Sequence, residues 1–379
     1  MRLAINGWFL SHPHTGTGKY LTALLENLPA AEPELEVHVI APAAVNTCSL
    51  PDRVQIHSTP PRNTALGKIR FEQRDFPQVA AQLGADLAHI PYWAPPLRSK
   101  VPFVVTVHDI IPLLLPEHRG SLPVRMYTSL VTSGVRGARA VIADSHHSRL
   151  DIVEHLHLTR EHVHTVHLAA DADYKPADSF EIDPNLQAKY DLPDDYVLYL
   201  GGFQRRKNVH RLLAAWSWAR DPIGADYPLI IAGQLPESPD GILFHDLPAL
   251  AEELELEDTV RFIGPVDEAD KPALYQGATC FVYPSSYEGF GLPPLEAMAC
   301  GAPVVTTGKA SLPEVVGDAA YYVEDPSDTR KLGAAIIGVV VDGQLADDLH
   351  ARGLKQAAKF SWKKTAHETL AIYRATIET

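Results

Sequence analysis

Short apolar runs of three to five residues alternate with longer stretches of helical composition along most of this chain. That alternation leaves few folds open. The runs are Leu3–Ile5, Val37–Ile40, Leu87–Ile90, Phe103–Val107 and Ala140–Ala143, then Tyr196–Leu200, Leu229–Ala232, Val260–Ile263, Cys280–Tyr283 and Val304–Thr306. Helical stretches such as Tyr20–Leu28, Arg211–Ala219 and Lys271–Gly277 lie between most of them. Strands separated by helices must pair in parallel, with helices covering both sheet faces. Two such series predict an α/β protein of two doubly wound, Rossmann-like domains, over 1–180 and 190–360. The Asp- and Pro-rich segment Lys175–Asp195 reads as the linker. Doubly wound sheets bind ligands beyond the carboxyl ends of their strands, so the expected site is a central cleft that the two domains face.

Composition removes several function classes. The formal net charge of −14 lacks the basic footprint of nonspecific nucleic-acid binding, so no nucleic-acid partner is expected. Cys48, Cys280 and Cys300 form no Cys-x-x-Cys pair and read as buried thiols in a reducing compartment. Met1–Leu10 reads as a first strand, not a signal peptide. The longest apolar candidate, Val101–Leu115, is interrupted by His108 and Asp109, so no bilayer span is expected. The expected location is cytoplasmic.

The most specific string is Ser286-Tyr-Glu-Gly-Phe-Gly-Leu-Pro-Pro-Leu-Glu-Ala-Met-Ala-Cys-Gly301. It follows the strand candidate Cys280–Tyr283 and precedes Pro303–Val305. Prolines suit a first helical turn and Gly301 its C-terminal end. On that reading Glu296 sits in the first turn and Glu288 in the preceding loop, so two carboxylates and free backbone N–H groups converge at one helix N-terminus. Ionised carboxylates accept hydrogen bonds from neighbouring sugar hydroxyls, and the helix terminus attracts anions.

With Gly-Ala-Pro-Val-Val after it, this string resembles the nucleotide-sugar motif of retaining glycosyltransferases of family 4. The resemblance implies a GT-B architecture, with the acceptor on the N-domain and the donor mainly on the C-domain. It also implies a terminal helix, 361–379, that crosses back to the N-domain. Glu296 would hold the ribose and Glu288 a sugar hydroxyl, with donor contacts from Gly289, Phe290, Gly291 and Leu292. Gly201-Gly-Phe-Gln-Arg-Arg-Lys-Asn208 resembles the family segment that neutralises the departing diphosphate, which assigns Arg206 and Lys207. Thr106-Val-His-Asp-Ile-Ile-Pro112 resembles the segment whose histidine contacts the donor sugar, assigning His108, with Asp109 beside it. Thr15-Gly-Thr-Gly-Lys-Tyr20 resembles the N-domain loop bordering the donor phosphates, assigning Gly16 and Gly18. Ser145, in Asp144-Ser-His-His-Ser148, matches a Ser-x-x-Ser turn that caps a helix or faces the cleft.

The expected function is therefore a retaining hexosyltransferase that moves mannose from GDP-mannose to a hydroxyl of a glycan or lipid-linked glycan acceptor. The resemblance points to bacterial mannosyl- and rhamnosyltransferases of polysaccharide assembly. The alternatives are a UDP-hexose donor, an NAD-dependent oxidoreductase and an inactive sugar-nucleotide-binding module. The oxidoreductase reading lacks its third glycine, the position being Leu21. No metal or other cofactor is expected: Asp171-Ala172-Asp173 reads as structural, and His155, His157, His162, His164 and His167 have no matching cysteine cluster. From His118 to Ala143 the chain holds Arg119, Arg125, Arg136 and Arg139 and no acidic residue, with Met126, Tyr127, Leu130, Val131 and Val135 at helical spacing. That segment reads either as a core-packed helix or as a peripheral contact with the inner face of a membrane.

Overall fold

The strands pair in parallel throughout, so every strand-to-helix turn of a sheet emerges along one edge. The structure is a computed structural model and describes residues 1–42, 50–62, 64–177, 183–239 and 241–378. Cys48 and part of Lys175–Asp195 lie outside the described residues. The chain divides into two compact units, Met1–Leu168 with Ser361–Thr379, and Ala169–Phe360.

The first unit holds β1 (Arg2–Asn6), β2 (Glu36–Pro42), β3 (Val54–Thr59), β4 (Leu87–Ile90), β5 (Phe103–Val107), β6 (Ala140–Ala143) and β7 (Val163–Thr165). Their order is β3-β2-β1-β4-β5-β6-β7. The second holds β8 (Tyr196–Leu200), β9 (Leu229–Ala232), β10 (Val260–Gly264), β11 (Ala278–Tyr283), β12 (Val304–Thr307) and β13 (Ala320–Val323), in the order β10-β9-β8-β11-β12-β13. Strand order reverses between β1 and β4 in the first sheet and between β8 and β11 in the second. Loops part at such a reversal and leave a crevice for ligand.

All ten apolar runs form strands. Sequence reading missed β3, β7 and β13, which lie at sheet edges. An edge strand is covered less completely, so it carries more polar residues; β3 reads Val-Gln-Ile-His-Ser-Thr. The division between units falls at Leu168/Ala169, before the Asp- and Pro-rich segment. Side chains account for this: Tyr174 packs on Tyr275 and the Lys175 carbonyl accepts from Gln276 Nε2 at 2.7 Å, which ties this stretch to the second unit.

The terminal helix Trp362–Glu378 belongs to the first unit and packs on the helix Gly16–Ala31. Its Tyr373 hydroxyl meets buried His89 Nδ1 at 2.7 Å, and Thr106 Oγ1 meets His89 Nε2 at 2.9 Å and the Tyr20 hydroxyl at 3.0 Å. Burial, then the neighbouring His108, lowers the His89 pKa to about 3, so the ring is neutral and joins this polar chain without a charge.

The helix Leu122–Val135 favours the core-packed one of its two readings. Of the five apolar positions assigned to a membrane-facing stripe, Val131 and Val135 are buried, and Tyr127 and Leu130 pack against the unit's own core. Only Met126 faces solvent, accompanied by Leu122 and Val124. The core competes for the same apolar face as a lipid would and takes it. Among the described residues no helix is long and apolar enough to cross a membrane.

Tyr373→Phe leaves one nitrogen of a fully buried histidine without its partner. It should destabilise the protein by about 1–3 kcal/mol, read as a lower denaturant midpoint for the first unit. An unchanged midpoint would show that the terminal helix is held by apolar packing alone.

Candidate active site

In the second unit the loops after β8 and β11 flank the strand-order reversal and are fastened to each other. Arg205–Lys207 form a short 3-10 turn, and Asn208 follows in the left-handed region at φ 56°. Its amide donates to the Pro284 carbonyl at 2.8 Å and to Ser286 Oγ at 2.6 Å, while Ser286 N–H donates to the Arg206 carbonyl at 2.8 Å. The fastening brings Arg206 and Lys207 onto Glu288. Lys207 Nζ lies 2.6 Å from Glu288 Oε1, Arg206 Nη1 3.1 Å from it, and the Tyr283 hydroxyl donates to it at 3.1 Å. Lys207 also donates to the Tyr283 hydroxyl and lies over that ring.

This is a buried charge cluster: Lys207 is 9% and Glu288 7% exposed. Burial alone would raise the Glu288 pKa. Lys207 and Arg206 overcome it and hold the carboxyl at about 2, so Glu288 is ionised. The cluster carries two cations and one anion, an excess of one positive charge.

Glu296 is buried and accepts from the Tyr275 hydroxyl at 3.2 Å. Its helix begins one residue earlier than the prolines suggest. Gly291, at φ 124°, is the cap and Leu292–Leu295 make the first turn, so Glu296 opens the second turn and does not lie in the first. Pro293 and Pro294 also remove two N–H donors from that turn. The donors expected at this helix terminus therefore narrow to the loop backbone of Gly289, Phe290 and Gly291, and to Leu292. Ser311 Oγ shapes that loop by donating to the Glu288 carbonyl at 2.9 Å or the Phe290 carbonyl at 2.5 Å.

In the first unit His108 directly follows β5, the strand beside β4. Its Nδ1 lies 2.7 Å from Asp144 Oδ2 and its Nε2 3.1 Å from the Pro91 carbonyl. Burial lowers its pKa, but Asp144, Asp109 and the Pro91 carbonyl together raise it above the ordinary histidine value. Two acceptors around one ring favour the doubly protonated, cationic form. Asp109 Oδ1 accepts from Ile111 N–H at 3.0 Å and so turns the chain. Ser145 caps the helix His146–Leu156 by accepting from Ser148 N–H at 3.0 Å.

The two N-terminal glycines have different reasons to be glycine. A Cβ on Gly18 would lie 2.1 Å from the His12 carbonyl oxygen, so the protein's own fold excludes a side chain there. A Cβ on Gly16 would meet nothing within 4 Å.

Sequence reasoning missed Asp144, Tyr283 and Asn208. Asp144 and Tyr283 lie at or just beyond the carboxyl end of β6 and β11, and Asn208 directly follows the assigned Arg206 and Lys207. Those positions were the available signal.

Two parallel sheets, each wound outward in both directions from a strand-order reversal, make a GT-B fold. The model for glycosyl transferases group 1 matches residues 184–356, and that for glycosyltransferase family 4 matches residues 14–174. An O-antigen chain mannosyltransferase B from Escherichia coli is 38% identical over 72% of this chain and 70% of its own. A serotype-specific mannosyltransferase WbdA from the same organism is 34% identical over 70% of this chain, which spans only 32% of that longer protein. Sucrose-phosphate synthase from Thermosynechococcus elongatus shares the fold, with a TM-score of 0.77 at 21% identity over 99% of this chain and 98% of that one. Anabaena Alr3699/HepE, solved in complex with UDP, does so with a TM-score of 0.73 at 19% identity over 99% of both chains. The chain belongs to glycosyltransferase family 4 and is a hexosyltransferase. The oxidoreductase alternative falls with this placement; where that fold needs a third glycine, Leu21 is wholly buried inside a helix.

Two expectations follow. Gly18→Ala should lower stability clearly, whereas Gly16→Ala should leave the melting temperature unchanged and weaken sugar-nucleotide binding if ligand occupies the open space. Equal melting temperatures for the two variants would contradict the crowding at Gly18. The second concerns pH. The Glu288 pKa is depressed in the folded state, so its stabilisation is present above the unfolded value near 4.5 and is lost as pH falls towards about 2. That loss should be on the order of 3 kcal/mol and absent in Glu288→Gln. Denaturant titrations of both proteins between about pH 5 and 3 would capture its onset, and parallel curves would contradict it.

Proposed function

We propose that this enzyme transfers mannose from GDP-mannose, with retention of configuration, to a hydroxyl of a glycan or lipid-linked glycan acceptor. The buried Arg206–Lys207–Glu288 cluster, with its excess positive charge at the strand-order reversal, carries the reading. The acceptor oxygen bonds to the anomeric carbon from the face that the diphosphate leaves, and the leaving phosphate takes the hydroxyl proton. Arg206 and Lys207 offset the charge that builds on the diphosphate, so no metal ion is needed. Glu288 orients both cations and offers an acceptor to a sugar hydroxyl. Glu296 holds the ribose. His108, as a cation, donates to the sugar from the N-terminal unit.

Mannose is favoured by the two mannosyltransferase relatives. A UDP-hexose is the second reading, favoured by the fold neighbour solved with UDP. The acceptor is carried on the cytoplasmic face of a membrane, which the enzyme touches peripherally.

Calorimetry and turnover with GDP-mannose and UDP-glucose test this. GDP-mannose should bind and be consumed, even with EDTA present. Glu296→Gln should weaken donor affinity by roughly tenfold to a hundredfold, equivalent to losing a charged hydrogen bond. Turnover abolished by EDTA and restored by a divalent ion would overturn the charge argument. Donor binding without hydrolysis or transfer would identify a binding module.

A further inference from the structure

A groove of 370 Å³ lies in the N-terminal unit against the helices Ile111–Leu114, Leu122–Val135 and His146–Leu156. Its polar lining is Arg119, Arg125, Thr128, Ser129, Thr132 and His155, and no acidic side chain contributes. Their backbones are bonded within their own turns, but neither guanidinium has an ion pair or hydrogen bond to another described residue. Thr132 Oγ1 is buried without a hydrogen-bond partner. A buried hydroxyl left unmatched is costly, and two neighbouring cations repel unless an anion joins them. In a chain of net charge −14 this concentration of uncompensated positive charge points to an anionic oxygen ligand.

The rim says which kind. Beside Arg125, the first turns of Leu122–Val135 expose Leu122 (67%), Val124 (45%) and Met126 (66%). Three large apolar side chains in five positions, next to arginines, match the boundary between headgroups and acyl chains. A free phosphate would use the groove and leave the rim in water.

We propose that this groove binds the phosphoryl headgroup of an anionic lipid while Leu122, Val124 and Met126 enter the acyl boundary. The inference deepens the peripheral membrane contact proposed above. It also places the lipid near the reaction. Pro112 lines the groove four residues after His108, which limits their Cα separation to about 14 Å.

Flotation with vesicles of phosphatidylcholine alone, or mixed with phosphatidylglycerol, tests the proposal. Dihexanoyl phosphatidylglycerol and inorganic phosphate serve as soluble probes. The protein should float only with the anionic vesicles, and less at high salt. Arg119→Gln with Arg125→Gln should weaken binding about thirtyfold, at the usual contribution of each basic residue near an anionic surface. Thr132→Val leaves net charge unchanged and should still weaken binding by about tenfold, as expected for a hydrogen bond to a charged group. Leu122→Ser with Met126→Ser should weaken vesicle binding and spare binding of the soluble lipid. Unchanged melting temperatures would separate these losses from misfolding. No flotation with anionic vesicles at low salt, or flotation indifferent to the arginine pair, overturns the proposal. So does indifference to Thr132→Val, which would mean diffuse electrostatics, and so does phosphate binding without flotation, which would mean a soluble ligand. Sugar-nucleotide hydrolysis by the unaltered protein in vesicle-free buffer tests the transferase reading separately.

Discussion

Parallel strand pairing is the constraint on which the rest depends. Because neighbouring strands point the same way, each must be joined to the next by a crossover, and all the turns at strand ends collect on one edge. The sheet orders place a reversal between β1 and β4 and another between β8 and β11. At those points consecutive loops diverge. Lys207 and Glu288 come from the loops after β8 and β11, and Tyr283 ends β11; His108 and Asp144 follow β5 and β6, one and two strands beyond the reversal of the first sheet.

Within that frame, the second unit solves a specific electrostatic problem. Two neighbouring cations must be held together where there is little water. Arg206 and Lys207 repel each other, and Lys207 is nearly removed from water. Glu288 offsets that repulsion from a separate loop, and Asn208 clamps the two loops so that the distances stay short. Removing one member of a buried ion cluster commonly costs several kcal/mol because a charge is left unmatched. Glu288 therefore has a structural duty of its own, and alanine at this position would remove that duty along with any part in the reaction.

The first unit uses neutral groups for support and charge for the site. The chain from Tyr20 through Thr106 and His89 to Tyr373 is uncharged and buried, and it anchors the terminal helix beneath the loop that carries His108. His108 itself is paired with Asp144 and raised in pKa, so next to this neutral chain charge appears where the strand ends. The same economy is visible in the helix Leu122–Val135. Its apolar stripe serves the core, and what remains for an outside partner is its exposed first two turns and the arginines around them.

Local pattern alone determined a good deal. Central strands are apolar on both faces, so their runs were legible, as were the two series, the Gly-Phe-Gly-Leu-Pro-Pro loop and the family to which these residues belong. Three of the four edge strands were not legible, because partial exposure permits residues like those of β3; the fourth, β10, kept enough apolar residues to show. Nor was the start of the helix at Leu292, since a glycine at φ 124° is a property of the folded loop and not of the prolines that follow it. Tertiary structure decided which glycine is crowded and which is open. It placed Glu288 on two cations 81 and 82 positions before it in sequence, and Asp144 on His108. It also assigned most of the Leu122–Val135 stripe to the core. Periodicity reports that a face is apolar, but only the packed neighbours determine what covers it, and a carboxylate's partners depend on which loops the sheet order brings together.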